Sequence, residues 1–335
     1  LRLKCHSILV IEIWMNGPML PPNFQEVFAA HTRLKNLVHR TPVIQCQSID
    51  DRAGCRAHFK CENLQKTGSF KARGAINAVS QLSDDQLANG VVTHSSGNHA
   101  AALAYAAKLF GTRAHIVMPS NSSAIKKAAV KHYGGRIVEC APTLAAREKI
   151  AAEVQADTGA NLIPPFDHPH IIAGQGTCAM ELLEEVPKLD LIICPIGGGG
   201  LMSGTCLSTR SLSPHTKIIG AEPSGADDAF RSKQAYQLIP QTSPQTIADG
   251  LRTSLGNFTW PFIRDWVDEI VCVSEDEIAE AQAWFMQRAK LVIEPSSAVC
   301  VAVLFKLIDR WPEYGQGTDN SLNVGVILSG GNVEL

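Results

Sequence analysis

The sequence lacks a surplus of charge of either sign. It has 30 lysines and arginines against 32 aspartates and glutamates, a formal net charge of −2, and its basic residues are scattered rather than striped. That argues against nucleic acid and anionic membrane surfaces as partners and leaves a small molecule as the default ligand. Long hydrophobic runs are also missing. The apolar stretch in LRLKCHSILVIEIW is about seven residues long and interrupted by Glu12, too short and too charged to span a bilayer. No small-residue cleavage site follows it. Residues 1–14, ahead of Met15, are expected to be a non-native or disordered extension, and with no anchor or address the expected location is the cytoplasm. There is no Cys-x-x-Cys pair and no tight Cys/His cluster, which argues against a zinc site. The ten cysteines are spread over the chain, several in apolar runs such as LIICPI and AVCVAV, and read as reduced thiols. Internal repeats and Pro/Ser-rich linkers are absent.

What remains is a chain of 335 residues, 45% hydrophobic and 19% charged, with ample core for one or two domains. Short apolar runs alternate with helical patterns. Strands are expected at HFKCENL (58–64), GVVTHS, AHIVMP, RIVEC, NLIPP, LIICPI, KIIGAEP and NVGVILSG. Helices are expected at about 70–81 and 99–110, over AIKKAAVKH, LAAREKIAAEVQADT and CLSTRSL, and near 279–295. This alternation predicts an α/β fold with parallel sheets covered on both faces. Ligands of such sheets collect at the carboxyl ends of strands. Three strand-to-helix loops there are rich in glycine and hydroxyls: HSSGNH (94–99), GGGG (197–200) and SGGN (329–332).

In DLIICPIGGGGLMSG, four glycines separate an apolar strand from a helix. Without Cβ atoms the backbone can turn its N–H groups onto a ligand, and the helix start adds positive polarity, so the loop suits a phosphate. No Lys-Ser/Thr follows, which argues against a nucleoside-triphosphate loop, and Met202 and Ser203 occupy the third glycine position of a dinucleotide fingerprint. Lys71, in QKTGSFKARGA, would by position alone be a solvated surface charge. Its neighbours Phe70, Ala72, Gly74 and Ala75 would instead crowd a flat ligand, and a buried neutral amine suits a Schiff base with an aldehyde. A phosphate cradle together with an aldehyde-binding lysine points to pyridoxal phosphate.

The segments KTGSFKARGA, THSSGNHAAA, PPFDHPHIIAGQGT, GGGGLMSG, TIADGLRTSLG, IEPSSA and LSGGNVEL follow one another in the order found in fold-type II pyridoxal-phosphate enzymes. Over roughly residues 20–335 the chain resembles the serine racemase and serine/threonine dehydratase family, most of all eukaryotic serine racemases. The resemblance implies two open, twisted parallel-sheet domains with the cofactor in the cleft between them. The large domain would comprise 15–88 and 168–335, and the small one 89–167. It also implies a homodimer and an amino-acid substrate, serine or threonine.

By the same resemblance, Lys71 carries the cofactor and acts as base on one face of the substrate Cα, with Phe70 near the ring. Gly197, Gly198, Gly199 and Gly200 bind the phosphate, Asn98 bonds the phenolic oxygen, and Ser329 faces the pyridine nitrogen. A neutral serine there makes the ring a weaker electron sink, disfavouring transamination and leaving proton exchange and β-elimination. Ser95, Ser96, Gly97, Asn98 and His99 form the substrate loop, whose free N–H groups hold the carboxylate. Ser96, otherwise an ordinary helix cap, becomes the proton donor on the second face of Cα.

The resemblance also implies a metal site, in which Glu222, the Ala226 carbonyl and Asp228 would form an oxygen set suited to Mg²⁺ or Ca²⁺; spacing alone would make them a solvated acidic loop. Ala100 and Ala101 stand where vertebrate members carry Gly-Gln near a nucleotide effector site, which leaves ATP as an effector open. No amino-acid-sensing domain is expected after SGGNVEL. The leading expectation is a serine racemase that also eliminates water from serine to give pyruvate and ammonia. The alternative is a dehydratase of L-serine, L-threonine or 3-hydroxyaspartate without significant racemisation. Cysteine synthases usually carry a Thr-Ser-Gly-Asn-Thr loop instead of SSGNH, and animal aspartate racemases a run of serines where this chain has FDHPH. A nicotinamide oxidoreductase fails on the glycine spacing, and a non-catalytic nucleotide module leaves Lys71 and Ser96 idle.

Overall fold

Apolar runs closed off by glycine and proline build two sheets. The computed structural model describes residues 20–307 and 322–334, so the segment 1–14 lies outside the described residues. The strands are β1 (Val43–Ile44), β2 (Arg56–Cys61), β3 (Val91–His94), β4 (Ala114–Pro119), β5 (Arg136–Cys140), β6 (Asn161–Leu162), β7 (Leu191–Pro195), β8 (Lys217–Pro223), β9 (Glu269–Val273) and β10 (Asn323–Leu328). The helices are α1 (Phe24–Leu34), α2 (Gln47–Ala53), α3 (Lys71–Val79), α4 (Asp84–Asn89), α5 (Asn98–Leu109), α6 (Ala124–His132), α7 (Leu144–Thr158), α8 (Pro169–Glu185), α9 (Gly200–Leu212), α10 (Asp228–Ala235), α11 (Trp260–Trp266), α12 (Glu275–Ala289) and α13 (Pro295–Phe305).

One sheet runs β1-β2-β10-β7-β8-β9 and the other β5-β4-β3-β6. All pairings are parallel except that of β1, which lies antiparallel on β2 with Val43 opposite Lys60. An antiparallel edge strand needs no long crossover, and this one departs from the wholly parallel expectation. β7 is buried along its length and alternates faces: Leu191 and Ile193 pack with α13, Ile192 and Cys194 with α8 and α9. In the second sheet Ile116 and Met118 face α5, while Val92 and Val117 face Ala151 of α7. Both sheets are thus covered on two sides, as continuous apolar parallel strands require.

The sequence reading and the structure differ at chain breaks. The strand expected over 58–64 ends at Cys61, because Glu62 turns inward to meet Arg73. NLIPP pairs only through Asn161 and Leu162, since Pro164 and Pro165 have no N–H to give a ladder. The helix expected near 279–295 is α12, which starts earlier, at a Ser274/Glu277 capping box, and stops at left-handed Lys290. Pro295 then opens α13. Among the described residues no helix is long and apolar enough to cross a membrane.

A buried ionic group fixes α3. Arg73 forks onto Glu62 (2.7 and 2.8 Å) and onto Glu181 (2.7 and 2.8 Å), and Lys60 adds a third cation–anion contact with Glu181 at 2.7 Å. Two cations and two anions, each with bidentate or further hydrogen bonds, meet the condition under which buried charge is tolerated.

Candidate active site

The carboxyl ends of β3, β7 and β10 open onto one cavity of about 510 Å³. Phe70, Lys71, Ser95, Ser96, Gly97, Asn98, His99, Gly197, Gly198, Gly199, Gly200 and Ser329 all line it. Glu222, Ala226 and Asp228 do not.

The KTGS and SGGN loops are stitched together. Ser69 and Gly330 form an antiparallel bridge, Phe70 N–H donates to the Ser329 carbonyl (3.0 Å), and Gly331 N–H to that of Gly68 (3.0 Å). This seats Lys71, the first residue of α3, beside Ser329. The Lys71 amine donates to the Pro165 carbonyl (2.6 Å) and lies 5.1 Å from the Phe70 ring centre. Burial pushes that amine down to about 8, against an upward pull from Glu294. Ser329 is 2% exposed, with its Oγ 3.2 Å from Ser297 Oγ.

The tetraglycine loop is tight for a steric reason. A Cβ on Gly198 would lie 2.2 Å from the Phe166 ring, and Gly199 has φ +83° and would strike Thr259. Helix α9 starts at Gly200, so its first N–H groups face the cavity end of β7.

The N-cap of α5 is Gly97, with no side-chain cap. Ser96 is therefore not the helix cap that its position suggested. Ser95 Oγ accepts from Gly97 N–H at 3.4 Å. His99 is buried, its Nε2 3.0 Å from the Ile163 carbonyl and its Nδ1 without a partner. Burial and the nearby Lys71 charge push it down to about 3, so it stays neutral. Glu222 accepts from the N–H groups of Ala229 (3.1 Å) and Phe230 (2.8 Å). Asp228 Oδ2 accepts from Leu255 N–H at 3.1 Å, while its Oδ1 is buried and unpartnered.

The sequence reading missed several cavity residues: Pro165, Phe166, Asp167, Glu294, Asn332 and Arg147. The first four lie inside the segments PPFDHPHIIAGQGT and IEPSSA and Asn332 closes SGGN, but nothing local in those segments marks which residues face the cavity.

The chain matches the family described as pyridoxal-phosphate dependent enzyme over residues 34–330. It belongs to that family. Among its relatives is a serine racemase of Oryza sativa, 47% identical over 310 residues, 91% of this chain and 89% of that protein. A beta-hydroxyaspartate dehydratase of Paracoccus denitrificans is 46% identical over 317 residues, 95% of this chain and 98% of that one. The solved structure of maize serine racemase superposes with a TM-score of 0.89 at 45% identity, covering 94% of this chain and 95% of that one. In this pyridoxal-phosphate enzyme a lysine of lowered pKa, four consecutive glycines ahead of a helix start and a buried neutral serine line one cavity, a donor set that fits such a cofactor.

Proposed function

We propose that this enzyme is a serine racemase that also eliminates water from serine to give pyruvate and ammonia. One observation carries the reading: Lys71 and Ser96, an amine of lowered pKa and a hydroxyl not spent on capping, line one cavity. Bound there, pyridoxal phosphate supplies an aldehyde for the amino group and a conjugated ring that draws electrons from Cα. The chain's residues do the rest. The Lys71 amine takes the Cα proton on one face, and the Ser96 hydroxyl returns one on the other. The first N–H groups of α5, which have no intrahelical partner, hold the substrate carboxylate. Contrary to the sequence expectation, the Ser95 N–H is not free for it, since it donates to the Val117 carbonyl (3.1 Å), and that of Gly97 is shared with Ser95 Oγ (3.4 Å). Gly197–Gly200 would hold the phosphate, Asn98 the phenolic oxygen, and Ser329 the ring nitrogen, with Phe70 beside the ring. We take 89–167 as the small domain, 15–88 with 168–335 as the large one, and a cytoplasmic homodimer as the working form.

The residues Glu222, Ala226 and Asp228 fit a hard divalent cation, Mg²⁺ or Ca²⁺. All three are fully buried, burial raises both carboxyls, Asp228 to about 6, and Asp228 Oδ1 has no protein partner. Two acids buried without a cationic partner are costly unless something balances them.

A second reading has its own observation. Among the cavity's cations, Lys126 is paired with Asp249 and Arg252 is spent on the Thr246 carbonyl, whereas Arg147 Nε is buried with no partner. A substrate with a second carboxylate, 3-hydroxyaspartate, would satisfy it, making the enzyme a dehydratase like its Paracoccus relative.

The test is to incubate purified enzyme with L-serine and measure D-serine by chiral chromatography and pyruvate by a coupled assay. Both products support the first reading, and pyruvate alone sinks it in favour of a dehydratase. Ser96→Ala is expected to abolish racemisation and retain elimination from at least one enantiomer. Undiminished D-serine formation in that variant would remove Ser96 from the mechanism.

A further inference from the structure

Three consecutive residues between β6 and α8 reach three parts of the site. The Pro165 carbonyl accepts from Lys71, the Phe166 ring lies over Gly198, and the Asp167 carboxylate reaches a turn more than 80 residues away in sequence. Asp167 Oδ2 accepts from Asn257 N–H (2.9 Å), and Oδ1 accepts from Phe258 (2.8 Å) and Thr259 (3.2 Å). One carboxylate thus gathers three successive backbone donors that precede α11. The approach is so close that a Cβ on Gly256 would lie 2.1 Å from Asp167 Cγ.

The turn so held carries Thr259, which is fully buried and does not line the cavity. Its hydroxyl donates to the Gly198 carbonyl at 2.9 Å and accepts from Gly256 N–H at 2.9 Å. A trans peptide is planar, with C=O and N–H on opposite sides. Drawing the Gly198 carbonyl toward Thr259 therefore turns the Gly199 N–H the other way, toward the cavity that Gly198 and Gly199 line. The orientation of that donor is not an intrinsic preference of four glycines, which by themselves sample many conformations.

We infer that Asp167 is a positioning residue for the phosphate cradle, acting through Thr259 to aim the Gly199 N–H at the cofactor phosphate. The assignment rests on the family's cofactor and holds whichever amino acid is turned over. A carboxylate is suited to the task because it accepts from several N–H groups at once and donates none.

Full-length protein loaded with either pyridoxal phosphate or its phosphate-free form, pyridoxal, separates this role from a general one. Retention of each is followed by absorbance during dilution, with thermal melting of both loaded forms alongside. Asp167→Ala and Thr259→Val are expected to weaken pyridoxal phosphate roughly tenfold, the size of one misdirected charge-assisted hydrogen bond. Pyridoxal, which does not use the cradle, should change by less than about twofold. Thr259→Ser should restore the difference, and Asp167→Asn, which keeps Oδ1, should fall between. Equal weakening of both aldehydes, or no change in either, would overturn the assignment, and so would failure of Thr259→Ser to restore it. Should Asp167→Ala fail to fold, Asp167→Asn and Thr259→Val carry the same comparison. A wild-type protein that retains neither aldehyde overturns the cofactor itself, an outcome distinct from loss of phosphate selectivity.

Discussion

The side-chain amide of Asn98 donates to both carboxylate oxygens of Glu294, at 2.9 and 3.0 Å, and so ties the first turn of α5 to the N-cap of α13. Asn332 Nδ2 donates in turn to Asn98 Oδ1 (2.9 Å) and to the Thr67 carbonyl (2.8 Å), so the Asn98 amide has one orientation. Glu294 is 4% exposed, and burial pushes it up to about 7, partly offset by the Asn98 hydrogen bond.

This carboxyl should make the cofactor-free protein less stable as pH rises. A folded pKa of about 7 against an ordinary value of 4.5 means the native state holds the proton more tightly across that window. The contribution is full below about 4.5 and lost as pH passes about 7. Over that range it is on the order of 3 kcal/mol. Urea unfolding of wild type and Glu294→Gln at both ends of the window should show a shallower fall in the variant. Parallel slopes would mean that Glu294 does not titrate there.

Lys71 predicts a pH dependence of the opposite kind. Its amine is lowered from 10.5 to about 8, so its neutral, nucleophilic form gains with rising pH until about 8 and then levels off. At pH 7 about one amine in ten is neutral, against roughly one in three thousand for an ordinary lysine. The rate at which cofactor-free protein captures pyridoxal phosphate should rise about tenfold per unit below that pKa and then flatten. Borohydride should fix the label on Lys71, and Lys71→Arg should capture nothing. A rate still climbing about tenfold per unit at about pH 9 would show an ordinary, solvated lysine.

The acid pair Glu222 and Asp228 predicts stabilisation by a divalent cation. At a hundred times its dissociation constant, a cation that binds only the folded state adds about 2.7 kcal/mol. Mg²⁺ or Ca²⁺ should therefore raise the melting temperature of wild type, and a chelator should reverse it. Asp228→Asn and Glu222→Gln should not respond. An equal rise with Na⁺ at matched ionic strength would reduce the effect to screening.

The parts of this molecule legible in the sequence are those set by local chemistry. Central strands such as LIICPI declare themselves because burial on both faces demands an unbroken apolar run. The loops SSGNH, GGGG and SGGN do so because glycine and hydroxyls in succession have few other uses. Boundaries were lost where a long-range contact decides them: Cys61 ends β2 only because Glu62 must meet Arg73, eleven positions on. Asp167 was invisible for the same reason, since nothing near it in sequence marks the turn at 257–259 that it holds. α8 was obscured by its own burial: most of its residues are enclosed, so it shows no polar face and no clear period.

Arg147 predicts the substrate preference that divides the two readings. It stands in the first turn of α7, lines the cavity, and leaves a buried Nε without a partner. A buried guanidinium donor left unmatched costs about 1–3 kcal/mol, which a carboxylate on the substrate side chain would recover. If the enzyme takes 3-hydroxyaspartate, Arg147→Met should lower kcat/KM for it by roughly 10- to 100-fold. For L-serine, whose hydroxymethyl group offers no charge, the loss should stay within about threefold. Comparable losses for both substrates would place Arg147 on the carboxylate they share, and the preference for a dicarboxylic substrate would fall with it.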